Sequence, residues 1–190
     1  MFNNSTDTCS WQPWSADSLP PLNALFSTSM EFQAQPGGPF QFHLIPPLLA
    51  DLLKEIPNWT TEFSQNADER LYPPPTDDPE ERELIKDWSA YIQPGLAEHF
   101  QSCRTIVASD LAKMTQEKKG GFQLTIPFSH ADAWINALTQ ARIAIATELG
   151  FSEADLSEES EPELTNKRDF AAFQVNFYGF LTHYFVEHLE

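Results

Sequence analysis

Between Met30 and Leu44 the apolar residues Phe32, Ala34, Phe40, Phe42 and Leu44 fall at alternate positions on either side of Gln35-Pro36-Gly37-Gly38. A period of two around glycines that tolerate positive φ predicts a β-hairpin. The period changes at Pro46-Pro47, where Leu48, Leu49, Leu52, Leu53 and Ile56 follow with helical spacing until Pro57. The three prolines of Arg70-Leu71-Tyr72-Pro73-Pro74-Pro75 impose an extended chain. Asp77-Asp78-Pro79-Glu80-Glu81 then supplies a helix start, with a side-chain cap, Pro in the first turn and carboxylates at the positive end of the dipole.

That helix carries Leu84, Ile85, Trp88 and Tyr91 and is expected to end near Pro94-Gly95. A second is expected from about Leu96 to Lys118, with Phe100, Cys103, Val107, Leu111 and Met114 on one stripe and Gly120-Gly121 as its stop. Phe122, Leu124 and Ile126 alternate as a third strand. Ser129-His-Ala-Asp132 reads as a capping box for a helix through Trp134, Leu138, Arg142, Ile145 and Leu149. Six carboxylates and no base in residues 153–163 read as a solvated loop, and a last helix is expected from about Thr165 to Leu189. The pattern predicts a mainly α fold with a small antiparallel β-sheet (α+β), about five helices around three strands. Residues 1–24, with Trp11 and Trp14, read as an extended N-terminal arm on a single globular domain, residues 25–190.

Composition narrows the function classes. The 190 residues carry 28 acidic against 11 basic side chains, a net charge of −17. That balance argues against nucleic acid and anionic membranes as partners, because both need a basic face. No apolar run approaches the roughly 18 residues of a membrane span, and the opening residues lack a secretory signal, so the chain reads as cytoplasmic. Cys9 and Cys103 form no disulfide framework, which fits a reducing compartment. The sequence holds no GxSxG, HExxH, GxxxxGK[ST] or GxGxxG.

Three features carry candidate chemistry. The last helix has Phe170, Phe173, Phe177, Phe180 and Tyr184 on one stripe and Val175, Tyr178, Phe185 and Leu189 on another. A helix apolar nearly all round is either a core helix or one that lends a second face to a partner. Arg142 stands on an apolar seam, and a buried guanidinium calls for a carboxylate; Asp77, Asp78 and Asp87 are the candidates, the alternative being an anion-binding arginine. His183 with Glu187, and His99 with Cys103, are spaced four apart as metal ligands or an activated thiol would be. Two ligands do not make a site, so no metal or cofactor is expected.

The order of segments resembles the bacterial family catalogued as domain of unknown function two thousand seventeen (DUF2017). The likeness rests on the hairpin before a Leu-rich helix, Arg70-Leu71-Tyr72-Pro73-Pro74 followed by Asp77-Asp78-Pro79-Glu80, then Trp134-x3-Leu138-x3-Arg142, Glu148-Leu149-Gly150 and an aromatic terminal helix, over about residues 28–189. The tryptophan-rich opening, the Pro73–Pro75 run and the base-free first quarter depart from the pattern. The resemblance implies no established activity; in actinobacteria such genes often lie beside that of the Clp protease adaptor, which implies a role in regulated proteolysis and a Clp protease component as partner. Some members carry a transcriptional-regulator label, against which the charge of −17 argues here.

The expectation is a noncatalytic interaction or regulatory module whose binding residues are Arg70, Tyr72, Arg142, Tyr178 and Phe185. Use of both faces of the terminal helix would make a twofold homodimer the simplest arrangement. The rival is a small-molecule or metal-dependent enzyme with its site between the last two helices and the sheet; a deep pocket joining Arg142, His183 or His99 would favour it.

Overall fold

A computed structural model describes residues 30–60, 70–118, 120–152, 154–156 and 166–189. The predicted arm and most of the acidic stretch at 153–163 lie outside the described residues. The expected hairpin is β1 (Glu31–Gln33) and β2 (Phe40–Ile45), antiparallel with Phe32 opposite Phe42. Its turn uses Gly37 at φ 68° and closes with the Gly38 N–H donating to Gln35 O at 2.8 Å. The Leu-rich helix α1 (Pro47–Glu55) starts on its proline and buries Leu48, Leu49, Leu52 and Leu53.

The next two predicted helices are one rod. This helix, α2, runs through Arg82–Asp87, a π turn at Trp88–Ile92, and Gln93–Leu111. Pro94 does not stop it, because Pro lies in the first turn after the π turn, where the Gln93 N–H already reaches back five residues to Trp88 O. The rod ends at Leu111, short of the expected Lys118, and Thr115–Gln116 forms a strand, β3. Gly120 and Gly121 therefore turn the chain into β4 (Phe122–Ile126) and do not cap a helix. The sheet has four antiparallel strands, one more than expected, in the order β1-β2-β4-β3. The expected capping box is also absent: α3 (Ala131–Glu148) starts after a 3-10 turn at Phe128–His130 with no side-chain cap. The last helix, α4 (Lys167–Glu187), is capped by Asn166, whose side chain accepts from the N–H groups of Arg168 and Asp169. Among the described residues the helices thus number four, not five, around four strands.

Alanine brings the helices together. Ala133, Ala137, Ala141 and Ala144 are buried on α3 and leave room for α2 and α4 to pack against it, while Trp134, Leu138 and Ile145 fill the core. On α4, Phe185 packs against Phe40 and Trp134 with ring centroids 4.9 and 5.9 Å away. The buried Tyr178 hydroxyl donates to Leu52 O at 2.6 Å and accepts from Gln174 Nε2 at 2.8 Å, which ties α4 to α1. Burial raises the pKa of that hydroxyl, so it stays a donor.

Two polar devices hold the ends. Asp110, in the last turn of α2 and fully buried, accepts from His130 Nδ1 at 2.8 Å, Lys113 Nζ at 3.0 Å and Trp134 Nε1 at 3.2 Å. Burial alone would raise its pKa; the bonds from His130, Lys113 and Trp134 outweigh burial and hold it below the ordinary carboxylate value. In β2 a bulge between Phe42 and Ile45 places Leu44 at φ 54°. Glu117 fastens the bulge by accepting from the Leu44 N–H at 3.2 Å and from His43 Nδ1 at 3.1 Å. Gly121, at φ 77°, backs onto the bulge so closely that a Cβ there would lie 3.0 Å from Leu44 C and Ile45 O.

Two substitutions test these devices. Gly121→Ala is expected to cost about 2 kcal/mol or more in denaturant unfolding, from left-handed strain added to a backbone clash. Asp110→Ala is expected to cost about 3 kcal/mol, because it leaves the buried Trp134 N–H without an acceptor. The depressed pKa fixes the sign of the pH effect. The Asp110 contribution is fully present above the unfolded carboxylate value of about 4 and is lost as pH falls through the lower folded value. Thermal melts of the wild type should therefore fall more steeply below about pH 4 than those of Asp110→Asn; parallel curves would contradict the assignment.

Candidate functional site

The N-terminal half of α2 is the least ordinary surface. A 3-10 turn at Pro79–Glu81 leads into it, capped by Asp78, which accepts from the Glu80 N–H at 2.9 Å, while α2 itself starts after Glu81 without a side-chain cap. No residue from Pro79 to Ile92 is buried. Leu84 is 49% exposed, Ile92 53% and Tyr91 78%, and Ile85 and Trp88 beside them are only half-buried. The positions 84, 85, 88, 91 and 92 repeat at helical spacing, which makes an apolar stripe that no described element covers.

The segment Arg70–Pro75 lies at the same end of the molecule; it is not extended throughout as expected, since Arg70 and Leu71 are helical and the chain leaves the helix only at Tyr72, before the prolines. Arg70, Pro73, Pro74 and Asp77 form one wall of a groove of about 910 Å³, and Thr147, Gly150, Phe151 and Ser152 at the end of α3 form the other. Arg70 Nη1 donates to Thr147 Oγ1 at 3.4 Å, and the Tyr72 ring lies 5.6 Å from that of Phe100 on α2. Asp77 lines the groove and immediately precedes the Asp78 cap, so groove and projecting helix form one continuous surface.

The predicted site residues divide accordingly. Arg70 and Asp77 line the groove, Tyr72 packs instead on Phe100, Asp78 caps the 3-10 turn before α2, and Asp87 lies exposed on the projecting helix. Tyr178 and Phe185 are fully buried in the core, so they present nothing to a partner in the folded chain. Arg142 pairs with none of Asp77, Asp78 and Asp87. Its guanidinium lies against Gly179 of α4, whose missing side chain makes the space: a Cβ there would stand 3.1 Å from Arg142 Cζ. Arg142 Nε has no hydrogen-bond partner among the described residues, and burial lowers the pKa of the group.

The remaining candidates stay apart from this surface. Cys103 is buried with its sulfur 3.7 Å from His99 Nε2, and burial pushes the thiol pKa up, which opposes an activated thiolate. His183 and Glu187 form an exposed pair at 3.0 Å. Among the described residues no three His, Cys, Asp or Glu side chains are grouped to hold a metal ion. A second groove of about 540 Å³ lies over His43, Leu44 and Glu117, and neither groove is lined by Arg142, His183 or His99. No described helix is long and apolar enough to cross a membrane.

Sequence reasoning missed the buried Asp110 and the exposure of Leu84, Tyr91 and Ile92. For the latter a signal exists: Glu80, Glu81, Glu83 and Asp87 crowd the same few turns, more charge than a core-facing helix carries. The unpaired Arg142 gives a further test. Arg142→Met is expected to change stability by less than about 1 kcal/mol or to raise it, since no ion pair with a described residue is lost and a costly desolvation is relieved. A loss of about 3 kcal/mol in chemical denaturation would reveal a hidden acid partner.

The model of the family described as Domain of unknown function (DUF2017) matches residues 43–189, a span that includes the projecting helix, the groove and both final helices. No curated protein and no solved structure matches the chain. With well over half of its residues inside that match, the chain belongs to the DUF2017 family.

Proposed function

We propose that the protein is a noncatalytic interaction module that binds a partner protein through the N-terminal half of α2, with the Arg70–Asp77 groove beside it. The observation that carries this reading is the apolar stripe of Leu84, Ile85, Trp88, Tyr91 and Ile92 on a segment with no buried residue. An apolar stripe on an exposed helix is the form in which helices engage partners, with anchors spaced three and four apart. Trp and Tyr are also the residues that most often carry binding energy. The surface differs from the terminal helix that the sequence suggests, because Tyr178 and Phe185 of α4 are buried in the core and only Phe180 and Val186 among its large apolar residues are exposed. A Clp protease component is the partner to try first, on the family resemblance.

The double variant Leu84→Ser/Tyr91→Ser tests the proposal. Both side chains are about half exposed or more, so its melting temperature is expected to stay close to the wild type. Affinity for the partner is expected to fall at least tenfold, about 1.4 kcal/mol, in a titration of purified components. A folded double variant that binds as tightly as the wild type would refute the proposal.

A further inference from the structure

The charges around the stripe specify what covers it. Glu80, Glu83 and Asp87, three and four residues apart, form one row along an edge of the apolar stripe, and Glu81 stands at the stripe's N-terminal end. All four are exposed, and none of them forms an ion pair among the described residues. The segment is a single rod about 21 Å long at 1.5 Å per residue. A narrow stripe on such a rod is best covered by a second helix packed alongside it at about 8–10 Å.

From this geometry we infer that the partner presents a basic amphipathic helix: an apolar face laid against Leu84, Trp88 and Ile92, with Lys or Arg facing the row of Glu80, Glu83 and Asp87. The inference rests on the interaction reading above and adds the partner's chemistry. A second copy of this chain fits poorly, because an antiparallel twofold pair sets the acidic row of one copy against the same row of the other. The net charge of −17 acts in the same sense, repelling another copy and steering a basic partner toward the surface.

The test uses the full chain and three synthetic helical peptides of about 20 residues, long enough to span the rod. One has a Leu stripe flanked by Lys, one a Leu stripe flanked by Glu, and one a Ser stripe flanked by Lys. The Leu/Lys peptide is expected to bind at least tenfold more tightly than either of the others at about 0.15 M salt. The triple reversal Glu80→Lys/Glu83→Lys/Asp87→Lys should shift the preference toward the Leu/Glu peptide. Equal binding of the two Leu peptides would overturn the basic partner and leave the interaction reading standing. Equal binding of the two Lys peptides would show attraction by charge alone and overturn both. Light scattering at twice the 21.6 kDa chain mass, reverting to one chain in Leu84→Ser, would name a second copy as the occupant and overturn the inference.

Discussion

A carboxylate with no exposed surface sits where α2 ends and α3 begins, and the arrangement of the helices follows from the need to satisfy it. Asp110 meets that need only if the first turn of α3 brings His130 and Trp134 to within hydrogen-bond distance, with Lys113 closing from its own side. This fixes one end of the α2–α3 pair. Because α2 continues unbroken through its π turn, the position of its N-terminal half follows from the same anchor. The exposed stripe is thus the far end of a rod whose near end is held by a buried charge.

Between those ends the packing is close and mostly apolar. The small side chains of α3 admit two neighbouring helices, and Gly179 of α4 admits the Arg142 guanidinium where any side chain would crowd it. Among the described residues Arg142 meets no carboxylate and its Nε has no hydrogen-bond partner; its stem and plane fill space between two helices. The terminal helix, apolar nearly all round, spends most of its faces on its own core, Tyr178 and Gln174 toward α1 and Phe185 toward the sheet and α3, while Phe180 and Val186 stay half-exposed. The larger run of exposed apolar residues, Leu84, Tyr91 and Ile92 with half-buried Ile85 and Trp88, lies on the N-terminal part of α2.

Much of this was legible in the residues. Alternation about Gly37-Gly38, the proline-started leucine helix, the Asp78-Pro79 start and the aromatic last helix all rest on local signals that tertiary contacts leave intact. The misreadings have local causes too. Met114 continues the spacing of Val107 and Leu111, so periodicity alone carries the helix past its true end into a two-residue strand that exists only by pairing with β4. Pro94-Gly95 reads as a stop because a π turn leaves no mark in the pattern. Asp110 and Gln140, both buried, occupy positions where an apolar residue would be expected, and apart from Lys113 their partners His130, Trp134 and Arg104 lie 20 to 36 residues away in sequence. The Arg142 pairing failed for the opposite reason: the rule that a buried arginine meets an acid holds for buried guanidinium groups in general, and here a glycine supplied room in its place.

For this acidic, helix-rich member of the DUF2017 family, the proposed contact surface is the free end of α2. Hydrogen exchange of the full chain with and without its purified partner tests that claim most directly. The account predicts slowed exchange on complex formation in residues 82–92, with a smaller effect at residues 70–77. Unchanged exchange in residues 82–92, with protection confined to the sheet face around His43 and Glu117, would contradict it.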